Sequence, residues 1–90
     1  MFDWDDANAD HIARHGVAPE EAEEAVTDPR RVRLDTYSTP CEIRRGYIGR
    51  TSANRLLAVV LTRRKGRFRV VTARNATQIE QRGYRGKGEQ

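Results

Sequence analysis

"RLLAVVLTRRKGRFRVVTAR" (Arg55–Arg74) decides how this chain folds. Its first nine residues form a continuous apolar run with basic ends, which predicts a central strand buried on both faces. "RKG" predicts a tight hairpin, and "RFRVVTAR" returns beside the first strand. Strict alternation would point Phe68, Val70 and Thr72 one way and Arg69, Val71 and Ala73 the other.

Toward the C-terminus, "TQIE" (Thr77–Glu80) matches a capping box, in which the Thr77 hydroxyl and the Glu80 carboxylate satisfy free donors at a helix start. Ile79 and Tyr84 are the residues expected to dock that short helix, and Gly83 weakens it. Residues 85–90 are expected to form a frayed tail.

Toward the N-terminus, "IRRGYIGR" (Ile43–Arg50) reads as another strand, with Ile43 and Tyr47 opposite Arg44, Ile48 and Arg50. "TSAN" turns the chain and "STPCE" is a loop. "RRVRLDTY" (Arg30–Tyr37) predicts an edge strand, with Arg31, Arg33 and Asp35 on one face and Val32 and Leu34 on the other. "APEEAEEAVTDP" is a helix with Pro19 in its first turn and an Ala22, Ala25, Val26 stripe. Pro29 stops it. An earlier helix carries Asn8, His11, Ile12 and His15 on one face, capped by Asp5 or Asp6 and ended by Gly16. "MFDWD" predicts a short strand. The whole is α+β: two N-terminal helices packed on a mostly antiparallel β-meander, then a short C-terminal helix. The helices are expected to cover one face of the sheet and leave the other as a curved basic groove.

Ninety residues, 37% apolar and 33% charged, make one domain, residues 1–90, with one thin core. A surface groove therefore fits better than a deep substrate pocket. No apolar run approaches the roughly 20 residues needed to span a bilayer, so no membrane partner is expected, and no signal peptide is read at the acidic start. The single cysteine, Cys41, has no internal partner, which points to a reducing cytoplasm. Charge is unevenly spread. Residues 1–29 hold nine acids against one base, Arg14, for a net −8; residues 30–90 hold sixteen bases against four acids, for a net +12. Such a basic field draws polyanions or an acidic partner protein, although a merely solvated surface gives the same count.

Several chemistries are excluded. His11 and His15 stand one helical turn apart with Asp10 nearby, but no further ligand completes a zinc site. No phosphate-binding or dinucleotide loop is present, nor a nucleophile elbow, and Cys41 has no neighbouring base. No cofactor is expected. The arginines remain. Arg44, Arg50, Arg69 and Arg74 lie on or at the ends of strands and can converge, and a planar guanidinium fork fits phosphate. Converging arginines repel unless an anion lies between them, so such a cluster suits an RNA backbone or the charge that develops on an attacked phosphodiester. The plainer alternative pairs each arginine with a carboxylate of the acidic first third, which would leave a nuclease without footing. Tyr84 and Glu80 lie one turn apart, where Tyr84 could stack or move a proton or simply anchor the core. His15 could be a general base or a helix cap.

"FDWD", "HIARHGV", "EEAEEAVTDP", "IGR", "LLAVVLT" and "RVVTARNAT…E…Y" occur in that order over nearly the whole chain. As an ordered set they resemble the BrnT family of bacterial type II toxin–antitoxin systems. The resemblance implies a RelE-like fold, metal-independent cleavage of RNA through 2′-OH attack, and a BrnA-like ribbon–helix–helix antitoxin through which the complex meets DNA. It carries roles in catalysis over to His15, Arg50, Arg69, Arg74, Glu80 and Tyr84. Arg44, Arg63, Lys65, Arg67 and Arg82 are then the cations expected along the RNA. The chain departs from the family pattern at Asn8, where many members have lysine, at His11, where they have asparagine, and at Ala18, which replaces a Ser/Thr cap. Two other readings stay open: a binding module that acts with an antitoxin but does not cleave, and a stand-alone nucleic-acid-binding domain.

Overall fold

The computed structural model describes residues 2–36 and 38–88. Helix α1 (Asp6–Ala13) and helix α2 (Pro19–Thr27) precede strands β1 (Val32–Leu34), β2 (Arg44–Arg50), β3 (Leu56–Arg64) and β4 (Arg67–Asn75), and helix α3 (Gln78–Gly88) closes the chain. The strands form one antiparallel sheet in sequence order, β1-β2-β3-β4. The α+β architecture read from the sequence is the one observed. Tyr37, placed above at the end of the edge strand, lies outside the described residues, as do Met1, Glu89 and Gln90.

The punctuation has simple causes. Asp5 caps α1: its carboxylate accepts from the Asn8 N–H at 3.1 Å, while the Asn8 amide oxygen accepts from the Asp5 N–H at 2.8 Å. The chain leaves this helix through Gly16 at φ +72°. Helix α2 starts on Ala18, which has no side chain to cap with. Glu21 compensates by accepting from the Ala18 N–H at 3.0 Å. Lys65 and Gly66, at φ +53° and +77°, make a two-residue hairpin between β3 and β4, the geometry that suits the right-handed twist of the flanking strands.

Strand β3 is buried along Leu56–Val59 and again at Leu61 and Thr62, as its apolar run predicts. The cover, however, comes from both sides. Helix α2 lays Ala22, Ala25 and Val26 over Leu57, Val59, Leu61, Val70 and Ala73 on one face. Helix α3 brings Tyr84 onto Ile48, Leu56 and Ala58 on the other, with Val32 and Leu34 alongside. The open face expected from the sequence is therefore open only over part of its area. A sheet in which consecutive strands each carry apolar side chains on both sides must be covered on both.

Three local expectations change. Phe2 makes only an isolated parallel bridge to Phe68, with the Asp3 N–H donating to the Phe68 carbonyl at 2.8 Å, in place of an N-terminal strand. Ile79 is 79% exposed and does not dock α3. With Tyr84 inward, a residue five positions earlier lies about 140° around the helix, whereas Glu80 shares the inner side. Finally, β4 does not alternate strictly. Val60 pairs with Thr72 and Leu61 with Val70, so Val71 is an extra residue in a β-bulge. Val70 and Ala73 both reach the α2-side core, and Thr72 turns to the other face with Arg69.

Helix α2 lies so close to β2 that a Cβ on Gly49 would fall inside contact distance of the Ala25 carbonyl. Gly49→Ala must push the helix off the sheet. The expected loss is about 3 kcal/mol or more, read as a lowered midpoint in chemical denaturation.

Candidate active site

The face opposite α2 carries the residues of interest. Register puts Arg44 opposite Thr62 and Arg50 opposite Leu56 on β2 and β3. On β3 and β4 it pairs Ala58 with Arg74, Val60 with Thr72, Thr62 with Arg69 and Arg64 with Arg67. All these residues share the α3 side of the sheet. The bulge is the reason. Arg69 and Arg74 are five apart and would point to opposite faces in a regular strand; the extra residue at Val71 brings them to the same one. Along β4 the face reads Arg67, Arg69, Thr72, Arg74, a strip running from the hairpin tip to α3.

Helix α1 stands at the β4 edge of this strip. His11 reaches across so that its Nε2 lies 3.3 Å from the Thr72 hydroxyl. His15, in the turn after α1, sets its ring edge-on to His11 at 5.5 Å between centroids. An open hollow of about 380 Å³ is lined by His11, Arg44, Thr62, Arg64, Arg69 and Val71, among others. His15 was the histidine nominated from sequence, yet it is His11 that faces the hollow. The sequence carries a signal for this: His11 shares its helical face with Asn8 and Ile12, both of which are buried. Among the described residues no group of three or more His, Cys, Asp or Glu side chains is placed to hold a metal ion.

The arginines are gathered but not idle. Arg69, with a side chain only 16% exposed, pairs with Asp5 at 3.0 Å and Asp3 at 3.4 Å. Hydrogen bonding from Arg69 and then from the Asn8 N–H holds the Asp5 carboxyl below its ordinary range. Arg44 pairs with Glu42. Arg74 forks onto both oxygens of Glu80, at 2.7 and 3.0 Å. Arg50 lies over the Tyr84 ring, 5.3 Å from its centroid. Arg44, Arg69 and Arg74 thus each pair with a carboxylate of the chain, but only Arg69 finds its partners in the acidic first third, as the plainer alternative above has it. Such pairing does not extend to the hairpin: Arg63, Arg64, Lys65 and Arg67 are exposed and, among the described residues, none has a carboxylate within ion-pair distance. Arg82 is exposed on α3.

Tyr84 is 4% exposed, and its hydroxyl donates to Asp28 at 2.7 Å. The same Asp28 oxygen accepts the Arg50 N–H at 2.8 Å, and the other accepts the Arg30 N–H at 2.9 Å. Burial pushes the Asp28 carboxyl up, but these donors and the nearby Arg50 charge outweigh it and the net shift is downward. Burial, then the bond to Asp28, raises the Tyr84 phenol. Asp28 thus clasps the end of α2, the end of β2 and α3 together. Asn8, at the position where the resemblance led to lysine, is buried in a similar clasp. Its amide nitrogen donates to the Asp3 carbonyl at 2.9 Å and the Val70 carbonyl at 3.4 Å, which joins the N-terminal segment to β4.

Glu80 is held down to about 2, chiefly by the Arg74 hydrogen bonds, against a burial effect that raises it, with Thr77 also contributing. A carboxyl depressed in the folded state stabilises fully above its unfolded value near 4.5 and loses that contribution as pH falls toward 2. Glu80→Gln should remove roughly 1–2 kcal/mol at pH 7, allowing for the solvent-exposed Arg74. It should also flatten the stability curve between pH 4.5 and 2 in denaturant melts. Tyr84→Phe, which orphans part of Asp28, should cost about 1–2 kcal/mol at neutral pH.

A search of characterised proteins gives no significant match. The family profile described as "Ribonuclease toxin, BrnT, of type II toxin-antitoxin system" matches residues 4–80. That span holds α1, α2, the whole sheet and the Arg74–Glu80 fork, and the chain belongs to the BrnT family of ribonuclease toxins.

Proposed function

We propose that this chain is an endoribonuclease whose substrate lies along the β4 strip, from the hairpin tip to the Arg74–Glu80 fork. The carrying observation is the bulge-made alignment of Arg67, Arg69, Thr72 and Arg74 on one face, beside Arg64, Thr62 and Arg44. The unpaired cations of the tip, Arg64 and Arg67 with Lys65, meet the RNA first. The phosphate then displaces Asp3 and Asp5 from Arg69. Asp3 and Asp5 return to solvent while the phosphate takes their place, so the part-buried Arg69 is not left without an anion.

At the hollow, His11 takes the proton of the ribose 2′-OH and the 2′ oxygen attacks the adjacent phosphorus. The 5′ oxygen leaves with a proton drawn from solvent or from His15. The products are a 2′,3′-cyclic phosphate and a 5′-OH. Arg69 and Arg64 stabilise the extra charge on the phosphoryl oxygens, each by about 2–4 kcal/mol if it acts as an oxyanion-hole donor does. Arginines supply this charge, so the reaction is metal-independent. Arg74, Glu80, Arg50 and Tyr84 hold α3 at the end of the strip and act by positioning. An antitoxin neutralises the enzyme. One observation favours a second reading, a partner-binding module without cleavage: the carboxylates already engaging Arg44, Arg69 and Arg74.

Purified protein incubated with RNA in chelator separates the two. Cleavage with cyclic-phosphate ends is expected, and Arg69→Ala or Arg64→Ala should lower kcat/KM by about 10²–10³. His11→Ala should lower it by about 10²–10⁴ and remove one limb of the pH–rate profile. Asp3→Asn with Asp5→Asn, which together remove both carboxylates from Arg69, should tighten RNA binding several-fold. Intact RNA under all conditions, without growth arrest on expression, leaves the binding module.

A further inference from the structure

The opposite face of the sheet carries a second surface that the RNA strip does not use. Helix α2 crosses that face toward one end, from Glu21 beside Arg55 at the start of β3 to Asp28 beside Arg50 at the end of β2. The other half is left as a groove of about 490 Å³, floored by Phe2, Val26, Tyr47, Leu61 and Phe68. It continues without a break into a second hollow that shares Arg45, Tyr47, Leu61 and Phe68 and adds Ile43 and Arg63. Ile43 (66% exposed) and Phe68 (37%) belong to this surface, leaving only Ile79 among the large exposed hydrophobics of the described residues elsewhere. A contiguous apolar surface rimmed by charge marks an interaction site.

The rim is basic and differs from the strip on the other face. Arg31 lies 5.3 Å from the Tyr47 ring centroid and Arg63 lies 5.8 Å from that of Phe68, and Arg45 is exposed between them. Among the described residues none of the three has a carboxylate in ion-pair reach. On the strip the described residues supply acids to Arg44, Arg69 and Arg74; here they supply none. The missing acids are an invitation to a partner that brings them.

We propose that this groove docks the antitoxin through a segment that buries two or more apolar side chains against Leu61, Phe68, Tyr47 and Ile43 and presents carboxylates to Arg31, Arg45 and Arg63. The proposal rests on the family reading for the existence of a toxin–antitoxin partner; the surface and its chemistry come from the geometry. RNA fits the groove less well. Two of its three rings, Tyr47 and Phe68, where a base would stack, already lie under the guanidiniums of Arg31 and Arg63. A second copy of the chain fits less well again, because a two-fold contact through the same patch opposes arginines to arginines.

The test is calorimetric titration of the full chain with its purified antitoxin, using Arg45→Glu and Ile43→Asp. Both side chains are exposed, and unchanged thermal melts check that the variants fold. Each substitution should weaken antitoxin binding by about 100-fold and leave RNA cleavage unchanged. Arg64→Glu, on the other face, should impair cleavage and spare antitoxin affinity. Undiminished antitoxin affinity in both groove variants overturns the proposal. So does a loss of RNA binding in place of antitoxin binding, or a wild-type dimer in sedimentation that Ile43→Asp dissociates. A wild-type chain that cleaves no RNA defeats the nuclease reading alone, since the titration still reports on the groove.

Discussion

The structure turns on one irregular hydrogen-bond step. Between Val60 and Leu61 on β3 the partner strand carries an extra residue, Val71. A regular strand repeats every two residues, so it cannot send both Val70 and Ala73 into the same core. The bulge lets it do so, and both are fully packed beneath α2. The same shift turns Arg69 to the face that carries Arg74. Core packing and the layout of the candidate site are therefore two consequences of a single insertion, and removing it would exchange one for the other.

The acidic first third and the basic remainder also make sense together. Glu21 holds Arg55 at 2.8 Å, Glu23 accepts the Trp4 indole N–H at 2.7 Å, and Glu24 accepts from Ser52. Asp3 and Asp5 hold Arg69, while Asp28 binds Tyr84 and the end of β2. These acids act as internal fasteners between α1, α2 and the sheet. A chain of this size has a thin core, and polar fasteners around its rim supplement the packing. What is left over is positive: the hairpin tip on one side, the Arg31–Arg45–Arg63 rim on the other. Arginines paired with carboxylates organise the fold, and those with no carboxylate in reach among the described residues are the ones available to bind something else.

Much of this was legible in the linear order of residues. Capping pairs such as Asp5–Asn8 and Thr77–Glu80 are local, and a run like Leu56–Thr62 has few ways to be satisfied except as a central strand. The Lys65–Gly66 turn, the Gly16 stop and the Ala22–Ala25–Val26 stripe follow from backbone geometry and helical period, which act over a few residues. The ordered set of motifs also carried the family.

What residue order did not determine was everything that depends on two distant segments meeting. The bulge exists because β3 and β4 must share a core with α2, a requirement invisible within β4 alone. It reversed the expected side of Thr72. His11 rather than His15 meets the strip because α1 stands at the β4 edge. Tyr84 is buried against Asp28, 56 positions away in the chain, while Ile79, the more apolar candidate, is left in solvent. Local propensity and period are written into neighbouring residues; the choice of facing partner is a long-range competition for burial and hydrogen bonds, and only the assembled structure resolves it.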